Sequence, residues 1–102
     1  MIYASVSFVV APGKNLEANE YFHTVVRQAK KINGADVRIL NQVGGQMGHY
    51  ALLTTYENLA EFDQARQKLQ NDVSFQKLVA QAGNDGLFIP GEVKSQIWQQ
   101  VQ

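Results

Sequence analysis

Cysteine is absent from the 102 residues of this chain. Without thiols, the protein can form neither a disulfide nor a thiolate nucleophile, and it cannot hold an iron–sulfur cluster or a cysteine-ligated zinc ion. The only histidines, His23 and His49, are far apart in the sequence, whereas a metal site needs a cluster of ligands. We therefore expect no bound metal and no other cofactor.

An excess of one charge is also lacking, because nine basic residues balance nine acidic ones. This balance argues against a nucleic-acid or anionic lipid partner. No apolar run approaches the length of a membrane span. Residues 1–6 alternate in polarity rather than forming the basic and apolar regions of a signal peptide. The sequence predicts a soluble cytoplasmic protein that has no membrane partner.

Size and composition predict a single domain over residues 1–102. Hydrophobic residues make up 45% of the chain and charged residues 18%, which is typical of a globular protein. Two domains would each be too small to bury a core. Internal repeats and low-complexity tracts are lacking as well.

The first half of the chain has the pattern of a strand, a helix and a second strand. Residues 2–10 alternate in polarity, and Pro12 and Gly13 then interrupt the strand. From Asn15, a candidate N-cap, apolar residues recur every three or four positions up to the stop signal Asn33-Gly34. Residues 35–43 regain strand character.

The second half predicts a strand, a broken helix and a last strand. The glycine-rich turn at 44–48 leads into a strand at 49–56. Asn58 and Glu61 form a capping pattern for the next helix. That helix is interrupted at 71–72, where Asp72 caps a shorter helix ended by Gly83, and residues 92–100 form the last strand.

The order β-α-β-β-α-β predicts an α+β, ferredoxin-like fold whose antiparallel sheet carries both helices on one face. A count of alternating positions places a set of large side chains on the other face: Tyr3, Tyr50, Leu52, Tyr56 and Trp98. That is more apolar surface than a monomer leaves exposed. We therefore expect a homodimer in which two sheets pair face to face.

Four segments resemble a known group of proteins. They are residues 11–14 (APGK), 44–45 (GG), 55–62 (TYENLAEF) and 69–75 (LQNDVSF). With them, the chain resembles the dimeric α/β-barrel superfamily, in particular its NIPSNAP-like and antibiotic-biosynthesis-monooxygenase-like members.

The resemblance implies that two ferredoxin-like sheets close into a barrel, often by exchanging contacts of the last strand. A pocket is implied in the barrel lumen or between sheet and helices. Activities in the superfamily include cofactor-independent oxygenation, haem degradation, and polyketide decarboxylation or cyclisation, and many members have no assigned activity. Monooxygenase-like members usually carry a tryptophan at the end of strand three and an asparagine four residues earlier. Here those positions hold Tyr56 and Leu52, which argues against oxygenase chemistry.

The candidate ligand-binding residues combine phenols, a guanidinium and an imidazole: Tyr3, Arg38, Tyr50, Tyr56 and His49. The tyrosines suit a planar apolar ligand with polar edges, or they pack a dimer interface. Arg38 could bind a carboxylate, or it could pair across the sheet with Asp36 or Glu92. The parity count puts His49 on the helix side, where a lone histidine is more often structural than catalytic.

The candidate dimer-interface residues are Leu52, Thr54 and Trp98. Three functional hypotheses remain open. The first is a homodimeric barrel that binds a small apolar or aromatic molecule. The second is a cofactor-independent monooxygenase acting on an aromatic or polyketide-like substrate. The third is a structural or interaction protein whose lumen is filled by side chains. No catalytic residue can be assigned from the sequence.

Overall fold

The computed structural model describes residues 1–45 and 47–101 and contains four strands and three helices. In chain order they are β1 (Ile2–Val9), α1 (Asn15–Asn33), β2 (Arg38–Asn41), β3 (His49–Tyr56), α2 (Leu59–Asn71), α3 (Val73–Asn84) and β4 (Lys94–Gln99). This order confirms the predicted one, including the division of the second helix into two.

The strands form one antiparallel sheet in the order β2-β3-β1-β4. Strand β1 lies at the centre, where it pairs with β3 on one side and with β4 on the other. Side chains of α1 and α3 pack with β1 and β3 in a single hydrophobic core, so the helices cover one face of the sheet. The α+β, ferredoxin-like prediction is confirmed.

Most of the predicted helix ends are confirmed. Asn58 Oδ1 accepts a hydrogen bond of 2.8 Å from the Glu61 amide, and Asp72 Oδ1 accepts one of 2.9 Å from the Phe75 amide. Gly34 ends α1 with a φ of 70°, a left-handed conformation that glycine adopts without strain. The predicted cap at Asn15 is wrong, because Asn15 is already helical and Lys14 precedes the helix without a side-chain cap bond.

Strand β2 is shorter than the predicted residues 35–43. Its ladder with β3 extends only from Arg38, opposite Leu53, to Asn41, opposite Tyr50. Beyond Gln42 the chain bends into the glycine-rich turn, and Val43 is fully open to solvent. A short edge strand of this kind presents few free backbone groups.

The register of the sheet corrects the face predicted for β3. Residues directly opposite each other in an antiparallel ladder lie on the same face. Tyr50 is opposite Phe8, and Leu52 is opposite Val6. Since Phe8 and Val6 contribute to the core under the helices, Tyr50 and Leu52 face the helices too.

The same register places Thr54 and Tyr56 on the helix side, opposite Ala4 and Ile2. Of the large side chains assigned to the other face, therefore, only Tyr3 and Trp98 lie there. His49 lies on that face as well, opposite Val9 and not on the helix side as predicted. Alternation within a strand separates two faces, but only pairing with β1 decides which of them is inside.

Candidate functional site

The open face of the sheet is the surface that the helices do not cover. It comprises Tyr3, Ser5, Ser7, Val9, Arg38, Leu40, His49, Ala51, Leu53, Thr55, Lys94, Gln96 and Trp98. Trp98 is 60% exposed and Leu40 45% exposed. All six residues of β4 are exposed, so this edge strand is uncovered on both of its faces.

The helix side of the sheet is filled by aromatic rings. Five rings lie with neighbouring centroids 4.5 to 6.5 Å apart: Phe8, Tyr21, Phe22, Tyr50 and Phe88. Burial among them raises the pKa of the Tyr21 phenol. Such spacing is that of close-packed aromatic pairs, so this part of the interior is a core rather than a ligand pocket.

The five predicted ligand-binding residues do not converge on one site. Tyr50 and Tyr56 lie on the helix side, whereas Tyr3, Arg38 and His49 lie on the open face. The Tyr3 hydroxyl donates to Gln100 Oε1 at 3.3 Å, and the ring of His49 bonds Gln42 Oε1 through Nδ1 at 2.6 Å.

Two other predicted residues have clear placements. Asp36, a suggested partner of Arg38, instead pairs with Lys30 at 2.9 Å. Leu52, a predicted interface residue, belongs to the core and is 8% exposed. Among the predicted interface residues, only Trp98 therefore lies on the open face.

A pocket of about 360 Å³ lies where α1 ends, beside the end of β3 and one side of α2. We call it the Asn33 pocket. It is lined by Asn33, Gly34, Ala35, Asp36, Thr55, Tyr56, Glu61, Gln64, Ala65 and Lys68. Most of these side chains are polar, and only Tyr56 was among the predicted ligand-binding residues.

Asn33 is held at this pocket by a contact between two helices. Its Nδ2 donates a 3.1 Å hydrogen bond to the backbone carbonyl of Ala65 in α2. Ala65 is small and buried, which lets α1 and α2 approach each other closely here. The bond fixes the orientation of the amide, because only its nitrogen can donate. The other atom, Oδ1, is buried and has no protein donor among the described residues.

Tyr56 and Glu61 bring a phenol and a carboxylate to the same pocket. The Tyr56 ring packs edge to face on Phe62, with centroids 5.6 Å apart. Burial raises the pKa of the Tyr56 phenol, a hydrogen bond with Thr54 opposes this, and the charge of Glu61 raises it further. At neutral pH Tyr56 is consequently a protonated donor. Glu61 also accepts a 3.4 Å hydrogen bond from the Glu57 amide.

A larger, more open groove of about 750 Å³ runs between α1, α2 and the start of α3. Gln28 on its wall carries a second buried amide oxygen without a protein donor in the described part of the chain. At its rim, hydrogen bonds from Ser74 and from the Phe75 amide lower the pKa of Asp72. Asp72 is occupied with capping α3, and Lys31 and Lys68 are exposed to solvent.

Asn33 and Lys68 were not identified from the sequence as site residues. Asn33 was interpreted only as part of a helix stop, because its partner Ala65 is 32 residues away and no local pattern connects the two. Glu61 was interpreted only as a capping residue. Across residues 1–45 and 47–101, no three His, Asp or Glu side chains come together as metal ligands would. Nor does any helix within those ranges have the length and hydropathy needed to cross a membrane.

The fold has structural counterparts whose sequences share little identity with this chain. A NIPSNAP-domain protein from Burkholderia xenovorans superimposes with a TM-score of 0.79 at 14% identity, over 99% of this chain and 95% of that one. A NIPSNAP-family protein from Agrobacterium tumefaciens superimposes with a TM-score of 0.78 at 16% identity, over 98% of this chain and 92% of that one. A proposed antibiotic biosynthesis monooxygenase from Deinococcus radiodurans superimposes with a TM-score of 0.74 at 8% identity, over 100% of this chain and 94% of that one.

The chain has the fold of NIPSNAP-like and antibiotic-biosynthesis-monooxygenase-like proteins. The predicted resemblance is thereby confirmed at the level of the fold. No family model and no curated protein matches the sequence. At such low identities the structural similarity establishes the architecture of this chain but not its activity, since one fold hosts many functions.

Proposed function

We propose that the protein acts as a homodimeric α/β barrel in which the open faces of two copies pack against each other and enclose a small-molecule site. The observation that supports this most directly is the open face itself. It combines the exposed Trp98 and Leu40 with the apolar side chains of Ala51 and Leu53. Large exposed apolar side chains on one face of a sheet are typical of an interface.

A second copy is the occupant that this surface suits best. The chain has no net charge, so two identical copies would not repel each other through a long-range field. Identical patches related by a twofold axis are self-complementary, which is the commonest arrangement in homo-oligomers. In the same assembly, the second copy would also contact the unpaired edge of β4 and its two uncovered faces.

The ligand site of this proposal lies between the two sheets. Tyr3, Arg38 and His49 share the open face, so pairing would bring two sets of them into one lumen. Within that lumen the guanidinium of Arg38, opposite the apolar Leu53, suits the carboxylate of a planar aromatic acid. The oxygenase hypothesis is less favoured, because Leu52, where related enzymes carry an asparagine, is apolar and buried in the core.

For the assembly, we expect Trp98→Ala to raise the dimer dissociation constant by about tenfold to a hundredfold, as is typical for a buried tryptophan at an interface. Sedimentation equilibrium measures this, with wild type expected at twice 11.4 kDa. Leu16→Ala is the matched control, because Leu16 is a large apolar residue of α1, 70% exposed and outside the open face. A wild-type mass of 11.4 kDa at micromolar concentration would disprove the assembly.

For the lumen, we expect planar aromatic carboxylic acids to raise the melting temperature of the wild-type dimer, because a ligand that binds only the folded state stabilises it. Arg38→Gln should remove most of that increase, whereas Arg27→Gln, an exposed position on α1, should leave it intact. A panel of such acids can be screened by differential scanning fluorimetry. If none stabilises a proven dimer, the lumen is filled by side chains and the structural or interaction role is the better description.

A further inference from the structure

The end of α1 contains the sequence Asn33-Gly34, and Asn33 is the only asparagine of the chain that precedes a glycine. We propose that Asn33 is a site of spontaneous deamidation, and that its contact with α2 controls the reaction. While the contact is closed, the asparagine is protected. When the contact opens, the asparagine is converted to aspartate or isoaspartate. The site lies within one chain, so this modification does not depend on the pairing of two sheets.

The reaction needs no reagent other than water. The backbone nitrogen of Gly34 loses its proton and attacks the side-chain carbonyl carbon of Asn33, Cγ. A bond forms between these two atoms while the bond from Cγ to Nδ2 breaks, and the NH₂ group leaves with that proton as ammonia. Water then opens the cyclic imide at either of its carbonyl carbons, which gives an aspartyl or an isoaspartyl residue. Glycine favours the ring closure, because it has no side chain to hinder the approach of its nitrogen.

Both reacting groups are restrained in the folded protein. The Gly34 amide donates a 2.8 Å hydrogen bond to the Lys30 carbonyl, and the Lys30 ammonium donates to the Gly34 carbonyl at 3.3 Å. The glycine is thus held on both sides. The Asn33 Nδ2, the atom that leaves as ammonia, is bonded to the Ala65 carbonyl at 3.1 Å. The ring can close only when these bonds break, which couples the reaction to a local opening of the chain.

The product cannot restore the contact that the asparagine made. An aspartate at position 33 is ionised at neutral pH and has no hydrogen to donate to the Ala65 carbonyl. Oxygen atoms would then face each other where α1 and α2 approach closely at the small, buried Ala65. The new charge would also lie at the C-terminal end of α1, where the helix dipole disfavours it. Deamidation therefore turns a transient opening of this helix end into a permanent one.

The first experiment compares the full chain, folded and in guanidinium chloride, with a synthetic peptide of residues 32–38. After incubation at mildly alkaline pH, trypsin cuts behind Lys31 and Arg38 and leaves Asn33 as the only asparagine of its fragment. Mass spectrometry then follows the conversion of the amide to a carboxylate. We expect similar rates in the peptide and in the unfolded chain. The folded protein should react at least about a hundredfold more slowly, because only molecules with an open contact react.

Asn71 provides the comparison within the same digest. It is exposed and precedes an aspartate rather than a glycine. In the unfolded chain Asn71 should react more slowly than Asn33, since the side chain of the next residue hinders the attacking nitrogen. In the folded protein Asn71 lacks the protection described for Asn33, so folding should slow its reaction much less.

A larger side chain at the helix contact tests whether that contact controls the reaction. Ala65→Leu overpacks the place where α1 and α2 meet and should push the two helices apart. We expect the folded variant to deamidate at Asn33 at least about tenfold faster than wild type, because the contact is open more often. Ala60→Leu is the matched control, since Ala60 is exposed on the same helix. Its rate should equal that of wild type.

A second variant keeps the question open to test if Ala65→Leu does not fold. Lys30→Met removes the ammonium group that holds the Gly34 carbonyl, and it should speed the reaction by about twofold to tenfold, the effect of one hydrogen bond. Lys30 is exposed, so the fold should persist. Lys31→Met removes the neighbouring exposed cation and should leave the rate unchanged.

Asn33→Asp reproduces one product of the reaction directly. Its Gly34 amide should exchange with deuterium about tenfold faster than in wild type, because the helix end has lost its bond to α2. Asn71→Asp is the matched control. Asn71 is the exposed last residue of α2, so this substitution places the same charge at a helix end without removing such a contact. Exchange at Gly34 should then stay as in wild type.

Any of four results would overturn the proposal. The first is an equal rate for Asn33 in the folded protein and in the peptide. The second is an unfolded chain in which Asn33 reacts no faster than Asn71. The third is a wild-type rate in Lys30→Met together with a wild-type rate in Ala65→Leu, or in Lys30→Met alone if Ala65→Leu does not fold. The fourth is unchanged deuterium exchange of the Gly34 amide in Asn33→Asp.

Discussion

Replacing Phe22 with alanine is expected to lower the free energy of unfolding by about 4 kcal/mol, as typically found for a buried phenylalanine. Phe22 is completely buried, and its ring centroid lies 5.3 to 5.6 Å from those of Phe8, Tyr50 and Phe88. Truncation leaves a cavity that three rigid rings cannot refill by small adjustments. Urea denaturation followed by circular dichroism measures the change.

The neighbouring residue provides the control for this experiment. His23 is exposed on the same helix, so His23→Ala should change the free energy of unfolding by less than about 0.5 kcal/mol. All variants should be compared at one protein concentration, because association stabilises the folded state. A loss below about 1 kcal/mol for Phe22→Ala would show that the aromatic cluster is not the packed core described here.

Ala51→Glu is expected to abolish the proposed dimer over the whole micromolar range. Ala51 lies on β3 within the open face, opposite Ser7 on one side and Leu40 on the other. In a symmetric dimer the substitution buries two carboxylates at once, and each unpaired buried charge costs several kcal/mol. The dissociation constant should therefore rise by at least about a thousandfold. Size-exclusion chromatography with light scattering reports the mass directly.

Ala60→Glu is the matched substitution outside the interface. Ala60 is exposed in the first turn of α2, where a carboxylate interacts favourably with the helix dipole. The substitution Ala60→Glu should therefore leave the mass of the dimer unchanged. Circular dichroism should show that the Ala51→Glu monomer remains folded, since the open face of one chain is accessible to water. Should Ala51→Glu still sediment as a dimer, the two copies associate through some other surface.

Most of the architecture could be predicted from local signals. Apolar residues recur every two positions in the strands and every three to four positions in the helices, which distinguishes the two. The caps at Asn58 and Asp72 mark the starts of two helices. These signals work because a cap or an apolar stripe is determined by residues a few positions apart. The cap at Asn15 failed although its residue type was suitable, which shows that a capping residue alone does not determine where a helix begins.

The site could not be predicted in the same way, because its geometry depends on long-range pairing. Alternation in β3 shows that Tyr50 and His49 lie on opposite faces, but not which of them faces the helices. The answer comes from the antiparallel register with β1, whose paired residues lie forty or more positions away in the sequence. The Asn33 pocket is likewise created where α1 meets α2. In the sequence, two of its polar residues, Asn33 and Glu61, look like ordinary residues of a helix end.

The central position of β1 also affects how the protein folds. The ladder between β1 and β4 joins residues far apart in the sequence, from Ser7 opposite Lys94, 87 positions apart, to Ile2 opposite Gln99, 97 positions apart. Closing so long a loop is entropically costly and slows folding relative to proteins rich in local contacts. During synthesis β1 emerges first, and one of its edges stays unpaired until β4 has been made. A nascent chain that stalls before residue 94 would expose that edge, and an unpaired strand edge makes such a chain prone to aggregate.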